Sequence, residues 1–242
     1  ERLVIDLRDN GGGYLDSLRK VASLFIPEGN VLMKQVYASG KEDELKAVKG
    51  QMWKDGDIVL LVNDGTASAS EVFTLAMLEN RDDVTTVGIT TYGKGTVQIT
   101  YTFSDNSALK YTTSKWVSPS GIWVNNTGIE PEYIVELPAA LTAVYGDMGD
   151  DTVLSYDSVS AFNRSAQQAL EYLGYPIDRT DGYFSAVMTE VLCDFQRDRD
   201  LEVTGTLNKA TLNSLLAAVI YDWNTNKAHD PQLMKALEIL HD

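Results

Sequence analysis

The chain has 242 residues and a net charge of −15, from 20 basic and 35 acidic side chains. Hydrophobic residues make up 44% of it and charged residues 23%, a composition typical of globular domains and unlike disordered or collagen-like chains. The acidic excess disfavours nucleic acid as a partner, because binding phosphates needs clustered Lys and Arg. No apolar run reaches the length of about 18 residues that a membrane span requires.

Cysteine and histidine are rare in this sequence. Cys193 is the only cysteine, so no disulfide forms within the chain, and it falls on a predicted apolar helix where we expect it to be a core residue. The two histidines, His229 and His241, lie near the C-terminus, so residues 1–140 cannot hold a Ser-His-Asp triad. We expect neither a metal nor a cofactor.

The sequence opens inside a strand pattern, because Glu1 is followed almost directly by the apolar run LVIDL at residues 3–7. We therefore expect an upstream part of the protein to precede this chain. The absence of a signal peptide then carries no information about export.

Strand and helix patterns alternate through the first 140 residues, and the later part of this region forms a hairpin pattern. Residues 97–103 alternate apolar with polar side chains, which predicts a half-buried strand. The succession of strand, helix and strand predicts an α/β core with a parallel sheet. The predicted strands are 3–7, 31–37, 58–62, 84–89, 97–103 and 108–117, and the predicted helices are 15–25 and 69–80.

The second part of the chain is helical. A polar, acidic stretch at residues 146–151 indicates a linker before it. Asn208 is a plausible N-cap for the third of these helices, and Pro231 suits the first position of the last one. The predicted helices are 159–173, 185–197, 208–220 and 231–240.

A serine-containing turn, DGTASASE at residues 64–71, joins a predicted buried strand to a predicted helix. A serine here is often an N-cap. The alternative is a nucleophile at a sharp turn, where small neighbours admit a substrate and the N–H groups of the first helical turn hold an oxyanion. Both interpretations apply to Ser68, and Ser70 is the rival nucleophile.

A lysine between two glycines, Lys94 in the segment YGKGTVQ at residues 92–98, is the candidate base for such a serine. Lysine can activate a hydroxyl when desolvation lowers the pKa of its amine from about 10.4. Gln98 lies four positions later, on the same face of a strand, where its amide can orient the amine. The simpler interpretation is a lysine in a glycine-rich turn.

One rival interpretation of this lysine segment is a phosphate-binding loop, and two other lysines are rival candidates for the base. The segment does not fit a phosphate-binding Walker loop, because Gly95 follows the lysine where that motif needs Ser or Thr. Lys110 and Lys115 lack flanking glycines and are expected to be exposed strand residues.

A third glycine-rich segment, RDNGGG at residues 8–13, follows the first predicted strand. It is either a simple strand-to-helix turn or the source of a backbone N–H group that stabilises an oxyanion. Together with the two segments above, the run LVIDLRDNGGG resembles the carboxyl-terminal processing (tail-specific) serine peptidases. The resemblance also includes SALKYTT at 107–113, SPSG at 118–121 and GIEP at 128–131, and it covers residues 1–137.

This resemblance implies an α/β fold, a ClpP/crotonase-like peptidase core that is incomplete at the N-terminus. The family carries an upstream PDZ domain, which captures the C-terminal carboxylate of a substrate. The sequence departs from the family pattern at Thr66, where serine is usual, and at Gly11, where proline is frequent. Neither departure removes a catalytic group.

The resemblance also implies a role for each candidate residue. Ser68 would be the nucleophile, Lys94 the general base, and Gln98 the amide that orients the lysine. Two backbone N–H groups would form the oxyanion hole, one from Ala69 and one from Gly12 or Gly13.

The second part of the chain resembles the small three-helix peptidoglycan-binding domain over about residues 157–222. The segments LEYLGY at 170–175 and DGYF at 181–184 carry much of this resemblance. The alternative is a helical scaffold or regulatory cap. The segment DPQLMKALEIL at 230–240 resembles the closing helix of the peptidase family, which implies that the helical module is an insertion and that the last helix packs back on the peptidase.

The sequence thus predicts a serine endopeptidase that cleaves proteins near their C-terminal tails in the bacterial envelope or outside the cell. Its expected partners are proteins with accessible C-terminal tails, peptidoglycan and the upstream PDZ domain. One alternative is a non-catalytic, wall-associated scaffold, and another is a crotonase-like enzyme that stabilises a thioester enolate. The predicted parts are a peptidase core at 1–140, a linker at 141–156, a peptidoglycan-binding-like domain at 157–224, and a C-terminal helix at 225–242.

Overall fold

The computed structural model describes residues 1–143 and 145–241. Contacts divide the chain into a first unit, Glu1–Glu136 with Lys235–Asp242, and a second unit, Leu137–Met234. None of the helices in the described ranges has both the length and the apolar character needed to cross a membrane.

The first unit alternates strands and helices before ending in a hairpin and a short strand. In chain order its elements are β1 (Arg2–Asp6), α1 (Leu15–Ala22), β2 (Val31–Tyr37), β3 (Glu42–Lys46), β4 (Asp57–Val62), α2 (Ala69–Asn80), β5 (Val84–Gly88), β6 (Thr96–Thr102), β7 (Ala108–Val117) and β8 (Tyr133–Ile134).

The predicted parallel sheet is present, with its strands in the order β1-β4-β5-β8. Residues 58–62 of β4 are all buried, which explains why this strand is a continuous apolar run rather than an alternating one. Helix α2 is also buried from Ala69 to Met77, so it is the central helix of the core. The carboxyl ends of β1 and β4 lie side by side, and this edge of the sheet carries the candidate site.

A second, antiparallel sheet has its strands in the order β3-β2-β7-β6. The sequence pattern did not predict β3, because the residues of this strand are mostly charged and show no apolar run. Charged side chains suit an edge strand, where they discourage pairing with other chains. Strand β6 forms the other edge, and its residues 98–102 are exposed rather than half-buried as predicted.

Helix α1 ends at Ala22, three residues before the predicted end at residue 25. The hydroxyl of Ser23 is the local reason, because Ser23 Oγ donates to Arg19 O at 2.6 Å and accepts from Val48 N at 2.8 Å. Ser23 is therefore held against the following chain instead of continuing the helix. Residues 24–26 form turns, and Pro27 follows them.

The second unit is built from three main helices around an apolar core. Its elements are α3 (Ala139–Thr142), β9 (Val153–Leu154), α4 (Ala161–Tyr172), α5 (Ala186–Asp198), β10 (Leu207–Asn208), α6 (Lys209–Thr225), a short 3-10 turn (Lys227–His229) and the start of α7 (Pro231–His241). Ser160, Ser185 and Asn208 cap α4, α5 and α6, each accepting a hydrogen bond from the first turn. The completely buried side chains of its core include Leu170, Phe184, Met188, Phe195 and Leu215.

Part of the segment predicted as a linker, residues 141–156, is ordered structure in this unit, and residue 144 lies outside the described residues. Strand β9 lies inside it and pairs with β10, and Met148 is buried in the helical core. Lys209 also forms ion pairs with Asp147 and Asp150. The acidic composition suggested a solvated connection, and Val153 and Tyr156 are exposed, but Met148 packs in the helical core.

Helix α7 begins in the second unit, and its residues from Lys235 onward group with the first unit. Within the first unit, the Lys235 amine lies 5.2 Å from the centre of the Tyr133 ring. Ala236 and Leu240 of this helix are buried. The last helical turns therefore contact the β8 region, although the sequence separates them by about a hundred residues.

Candidate active site

Ser68 occupies a strained turn between β4 and α2. Its backbone angles are φ 57° and ψ −117°, a conformation that non-glycine residues rarely adopt. Such strain costs about 1–3 kcal/mol and persists only where the surroundings enforce it. A serine on a sharp, strained strand-to-helix turn is the geometry of a nucleophile elbow, which exposes the hydroxyl at the end of a sheet. Ser68 is half-buried, whereas its predicted rival Ser70 is buried.

The glycine loop after β1 lies directly against this turn. A Cβ on Gly12 would be 2.7 Å from both Ala67 O and Ala69 N, so only glycine fits there. The N–H of Gly12 donates to Asn10 Oδ1 at 3.1 Å. In the described parts of the chain, the N–H groups of Ala69 and Gly13 have no protein acceptor. Of the two glycines that the sequence left open, Gly13 thus has the available donor.

Hydrogen bonds fix the glycine loop to the loop that carries Ser68. The Asn63 side chain accepts from Asp9 N at 2.8 Å and from Gly65 N at 3.0 Å. Its amide also donates to Asp9 Oδ1 at 3.0 Å. The buried hydroxyl of Thr66 donates to Leu7 O at 2.7 Å. The ends of β1 and β4 are therefore held as one rigid edge.

A buried carboxylate, that of Glu71, connects the Ser68 turn to the lysine segment. Its Oε2 accepts from Ser68 N and from Lys94 N, both at 2.8 Å. Its Oε1 accepts from Thr91 Oγ1 at 2.6 Å and from Gly93 N at 2.7 Å. The two backbone nitrogens on Oε2 can be no further apart than twice 2.8 Å. One side chain with no exposed surface thus holds the main chain at both candidate catalytic residues.

The sequence pattern did not predict that Glu71 joins the Ser68 turn to the lysine segment. A signal was present, because Ser68 and Glu71 are spaced as in the S-x-x-E capping box, where the glutamate accepts from the N–H of the capping residue. That motif explains the contact to Ser68 N. It does not predict the contacts to residues 91–94, which lie more than 19 positions away in the chain.

The glycines around Lys94 pack closely on neighbouring chain, as their position suggested. A Cβ on Gly93 would lie 2.8 Å from Val124 O, and one on Gly95 would lie 2.5 Å from the indole nitrogen of Trp123. Trp116 Nε1 donates to Lys94 O at 2.7 Å. Hydrogen bonds thus fix both the N–H and the carbonyl group of Lys94, and the residue is half-buried.

The side chains of the proposed catalytic residues are not joined directly. In the part of the chain that the structure describes, no hydrogen bond links Ser68 Oγ to Lys94 Nζ. Gln98 lies on the exposed edge strand β6, where its amide donates to Thr112 Oγ1 at 3.4 Å. The structure therefore fixes the backbone of the site, while the Ser68 and Lys94 side chains are not hydrogen-bonded to each other in the described part of the chain.

Two grooves of about 380 Å³ each meet at the start of α2, and both are lined by Gly13, Tyr14 and Ala69. The first, here called the Ser68 groove, also contains Ser68, Gln98, Ile99 and Trp116. The second, here called the apolar groove, also contains Ile5, Leu7, Leu18, Phe25, Ser70 and Phe73. A polypeptide lying across Ala69 can place residues in both grooves.

This parallel sheet, with a strained serine between β4 and α2 and a glycine loop packed beside it, has the geometry expected of an α/β serine hydrolase. The sequence matches the family model described as "Peptidase family S41" over residues 1–135, and one described as "Putative peptidoglycan binding domain" over residues 163–215. The chain belongs to peptidase family S41.

Similar curated proteins match nearly the full length of this chain. A "Probable CtpA-like serine protease" of Staphylococcus aureus (strain MRSA252) is 35% identical over 99% of this chain and 47% of that protein. The "Carboxy-terminal processing protease CtpA" of Bacillus subtilis (strain 168) is 34% identical over 98% of this chain and 49% of that protein. The chain thus spans about half the length of these curated relatives.

Among solved structures, the photosystem II D1 C-terminal processing protease is similar with a TM-score of 0.51 and 32% identity. The similarity covers 56% of this chain and 34% of that one. The α/β core with an added helical module is therefore the fold that the sequence analysis predicted.

Proposed function

We propose that this chain carries the catalytic centre of a serine endopeptidase in which Ser68 is the nucleophile and Lys94 the general base. The observation that carries the proposal is the shared contact of Ser68 N and Lys94 N with Glu71 Oε2. A structural N-cap alone has no need for a lysine segment, distant in sequence, on the same carboxylate. Glu71 is a positioning residue, because it contacts main chain and not the reacting atoms.

In the proposed mechanism, the neutral amine of Lys94 removes the proton from Ser68 Oγ as that oxygen attacks the scissile carbonyl carbon. The carbonyl oxygen becomes an oxyanion, and the N–H groups of Ala69 and Gly13 stabilise it. Lys94 then gives the proton to the leaving amine. Water repeats the same steps on the acyl-enzyme and regenerates the free serine.

The mechanism needs the Lys94 side chain to approach Ser68 Oγ to about 2.6–3.2 Å. The backbone is already in place, so rotation about side-chain bonds supplies the movement. Gln98, which lines the same groove as Ser68, would then hold the amine by a hydrogen bond. Substrate binding in the groove excludes water from the reacting groups.

The proposed substrates are proteins with accessible C-terminal tails, in keeping with the names of the similar proteins. The apolar groove beside Ala69 suits an apolar side chain next to the scissile bond. In the full-length protein we propose an upstream PDZ domain that captures the tail. The match to a peptidoglycan-binding family supports peptidoglycan as a partner and a place in the bacterial envelope or outside the cell.

The proposal is tested with the full-length protein and an unfolded protein substrate that ends in an apolar tail. Replacing Ser68→Ala or Lys94→Ala is expected to reduce kcat/KM by ~10³-fold or more, because each removes a group that reacts. A fluorophosphonate probe should label Ser68 in the unmodified protein alone.

Matched controls come from the hairpin, where Ser107→Ala and Lys110→Ala remove the same chemical groups from exposed positions. These variants should keep full activity. Cleavage that survives Ser68→Ala undiminished would reject the assignment. A full-length protein that binds peptidoglycan but neither cleaves nor reacts with the probe would be the wall-associated scaffold.

A further inference from the structure

The β6–β7 hairpin carries an exposed apolar face that the core does not use. Its five members, here called the hairpin face, are between 42% and 56% exposed: Ile99, Tyr101, Phe103, Leu109 and Tyr111. Isolated apolar side chains on a surface need no explanation, but a contiguous set of large ones marks an interaction site.

The register of the hairpin places these side chains together. Ile99 lies opposite Tyr111, and Tyr101 lies opposite Leu109, so each pair projects from the same side of the sheet. Phe103 follows on that side, and its ring packs edge-on against Tyr101 with 5.0 Å between the ring centres. The alternate positions of the same strand carry Gln98 and two threonines, which are polar, and Gln98 at the inner end of this row also lines the Ser68 groove. The hairpin therefore has one apolar and one polar side.

The hairpin face is continuous with the candidate active site. Ile99 lines the Ser68 groove, and Val97, two residues earlier on the same side of β6, packs against the core of the first unit. The apolar side of β6 thus starts at the groove and runs outward to Phe103. Strand β6 is also an edge of its sheet, and β7 is its only partner strand among the described residues.

We infer that the hairpin face is an extended substrate-binding surface, which holds an apolar stretch of the polypeptide next to the segment in the Ser68 groove. The inference rests on the proposed peptidase function. The occupant follows from continuity, because a chain that fills the groove beside Ile99 is carried directly onto this face. An extended chain can also add to the free edge of β6 by main-chain hydrogen bonds while alternate side chains contact the aromatic rings.

The hairpin face predicts that the peptidase selects substrates by the sequence beside the scissile bond. Substrates with alternating apolar residues beside the scissile bond bind more tightly than substrates with the same scissile bond and a polar flank. The contact is made equally in the ground state and in the transition state, so it changes KM and leaves kcat unaffected.

The test uses the full-length protein and two peptides that are identical at the scissile bond, one with an alternating apolar flank and one with a Ser/Gly flank. The double variant Tyr101→Ser with Phe103→Ser should raise KM for the apolar-flank peptide by about tenfold at constant kcat. The Ser/Gly-flank peptide should be cleaved as before. Thr100→Ser with Thr102→Ser, on the polar side of the same strand, is the control and should change neither.

An unchanged KM, or an equal loss for both peptides, would overturn the inference. A second copy of the chain as the occupant would appear as a dimer that the double variant dissociates without changing peptide affinity, which also overturns it.

Peptide affinities measured by fluorescence anisotropy in the Ser68→Ala background separate this inference from the proposed function. Apolar-flank binding that depends on the hairpin face supports the surface even if the unmodified protein cleaves nothing, and that absence of cleavage would reject only the peptidase. Cleavage with hairpin-independent binding would reject only the surface.

Discussion

Both units fix their loops through a buried side chain that hydrogen-bonds to main chain, but this side chain is an amide in the second unit and a carboxylate in the first. In the second unit the buried amide of Gln196 accepts from Gly205 N at 2.9 Å and donates to Thr206 O at 2.9 Å. Gln167 does the same for Gly182 N and Tyr183 O. These neutral amides both donate and accept, so they match the alternating groups of a main chain.

In the first unit the corresponding group is the carboxylate of Glu71, which can only accept when ionised. All four of its partners are donors, and they come from two separate segments of the chain. A charge without exposed surface is costly unless it is fully hydrogen-bonded. The helical unit thus fixes its loops with neutral amides, whereas the first unit places a buried carboxylate and a strained serine where the proposed chemistry takes place.

The largest effect is expected from Glu71→Gln, which gives the first unit a buried amide like those of the second. The NH₂ of the glutamine amide cannot accept a hydrogen bond, so the two donors that contact one of the Glu71 oxygens lose their acceptor. We expect kcat/KM to fall by ~10²-fold or more because a small misplacement of catalytic groups is sufficient for such a loss. Stability of the first unit should fall by about 1–3 kcal/mol for each unsatisfied donor, measured by urea unfolding. Peptidase activity close to the original value would show that Glu71 does not position the site.

The next largest effect is expected from Gly12→Ala, which tests the close approach of the glycine loop to α2. The new Cβ would meet Ala67 O and Ala69 N at 2.7 Å, and φ is +89°. The loop must move, so we expect at least a tenfold loss of kcat and a stability loss of about 1–3 kcal/mol. Gly11→Ala is the matched control, since no atom lies within 4 Å of its Cβ. Equal losses in the two variants would argue against a specific role of Gly12.

Gln196→Glu is the reverse exchange, in the second unit. A carboxylate still accepts from Gly205 N but faces Thr206 O with no proton to donate. We expect the second unit to lose about 2–3 kcal/mol of stability. Cleavage of a short peptide should keep its kcat at temperatures where the unit remains folded. A loss of kcat comparable to that of Glu71→Gln would contradict the division of roles between the units.

The smallest expected effect concerns alkaline pH. Burial, together with the hydrogen bond of 2.7 Å to Asp198, raises the pKa of Tyr175 to about 12. The unfolded chain releases this proton near pH 10, so the stability contribution is complete below pH 10 and is lost as the pH rises toward 12. Tyr175→Phe should flatten the fall in the urea midpoint between pH 10 and pH 12.

At pH 7 the same variant should cost only about 0.5–1 kcal/mol, because the ring remains against Phe195 and one hydrogen bond is lost. The flattening is partial, since burial also raises the pKa of Tyr145 to about 12. Tyr221→Phe, at a position that is 69% exposed, is the control. An unchanged slope for Tyr175→Phe would show that its proton does not contribute to the alkaline loss of stability.

Much of the local structure could be predicted from the sequence. The bounds predicted for β2 and α2 are those of the structure, and Asn208 is the N-cap that its type suggested. These elements have a clear apolar period or a specific capping residue, so neighbouring residues are sufficient to define them. The α/β core and the family of the first unit were also evident from short motifs.

Other features depended on partners far away in the chain. Strand β3 has no apolar pattern of its own and forms because β2 offers a free edge. The alternation in β6 predicted burial, but no described part of the chain covers that face. Strand β9, within the predicted linker, forms because it pairs with residues more than 50 positions later.

The residue types of the candidate site can be recognised in the sequence alone: a serine before a helix, a lysine between glycines, and a glycine loop after a strand. The way they are joined depends on the tertiary structure, because the contact of Glu71 with Lys94 N and the close approach of Gly12 to Ala69 connect segments that are distant in the chain. Local patterns record which face of an element is apolar. They do not record which distant donor will satisfy a buried carboxylate, since that depends on the packing of the whole unit.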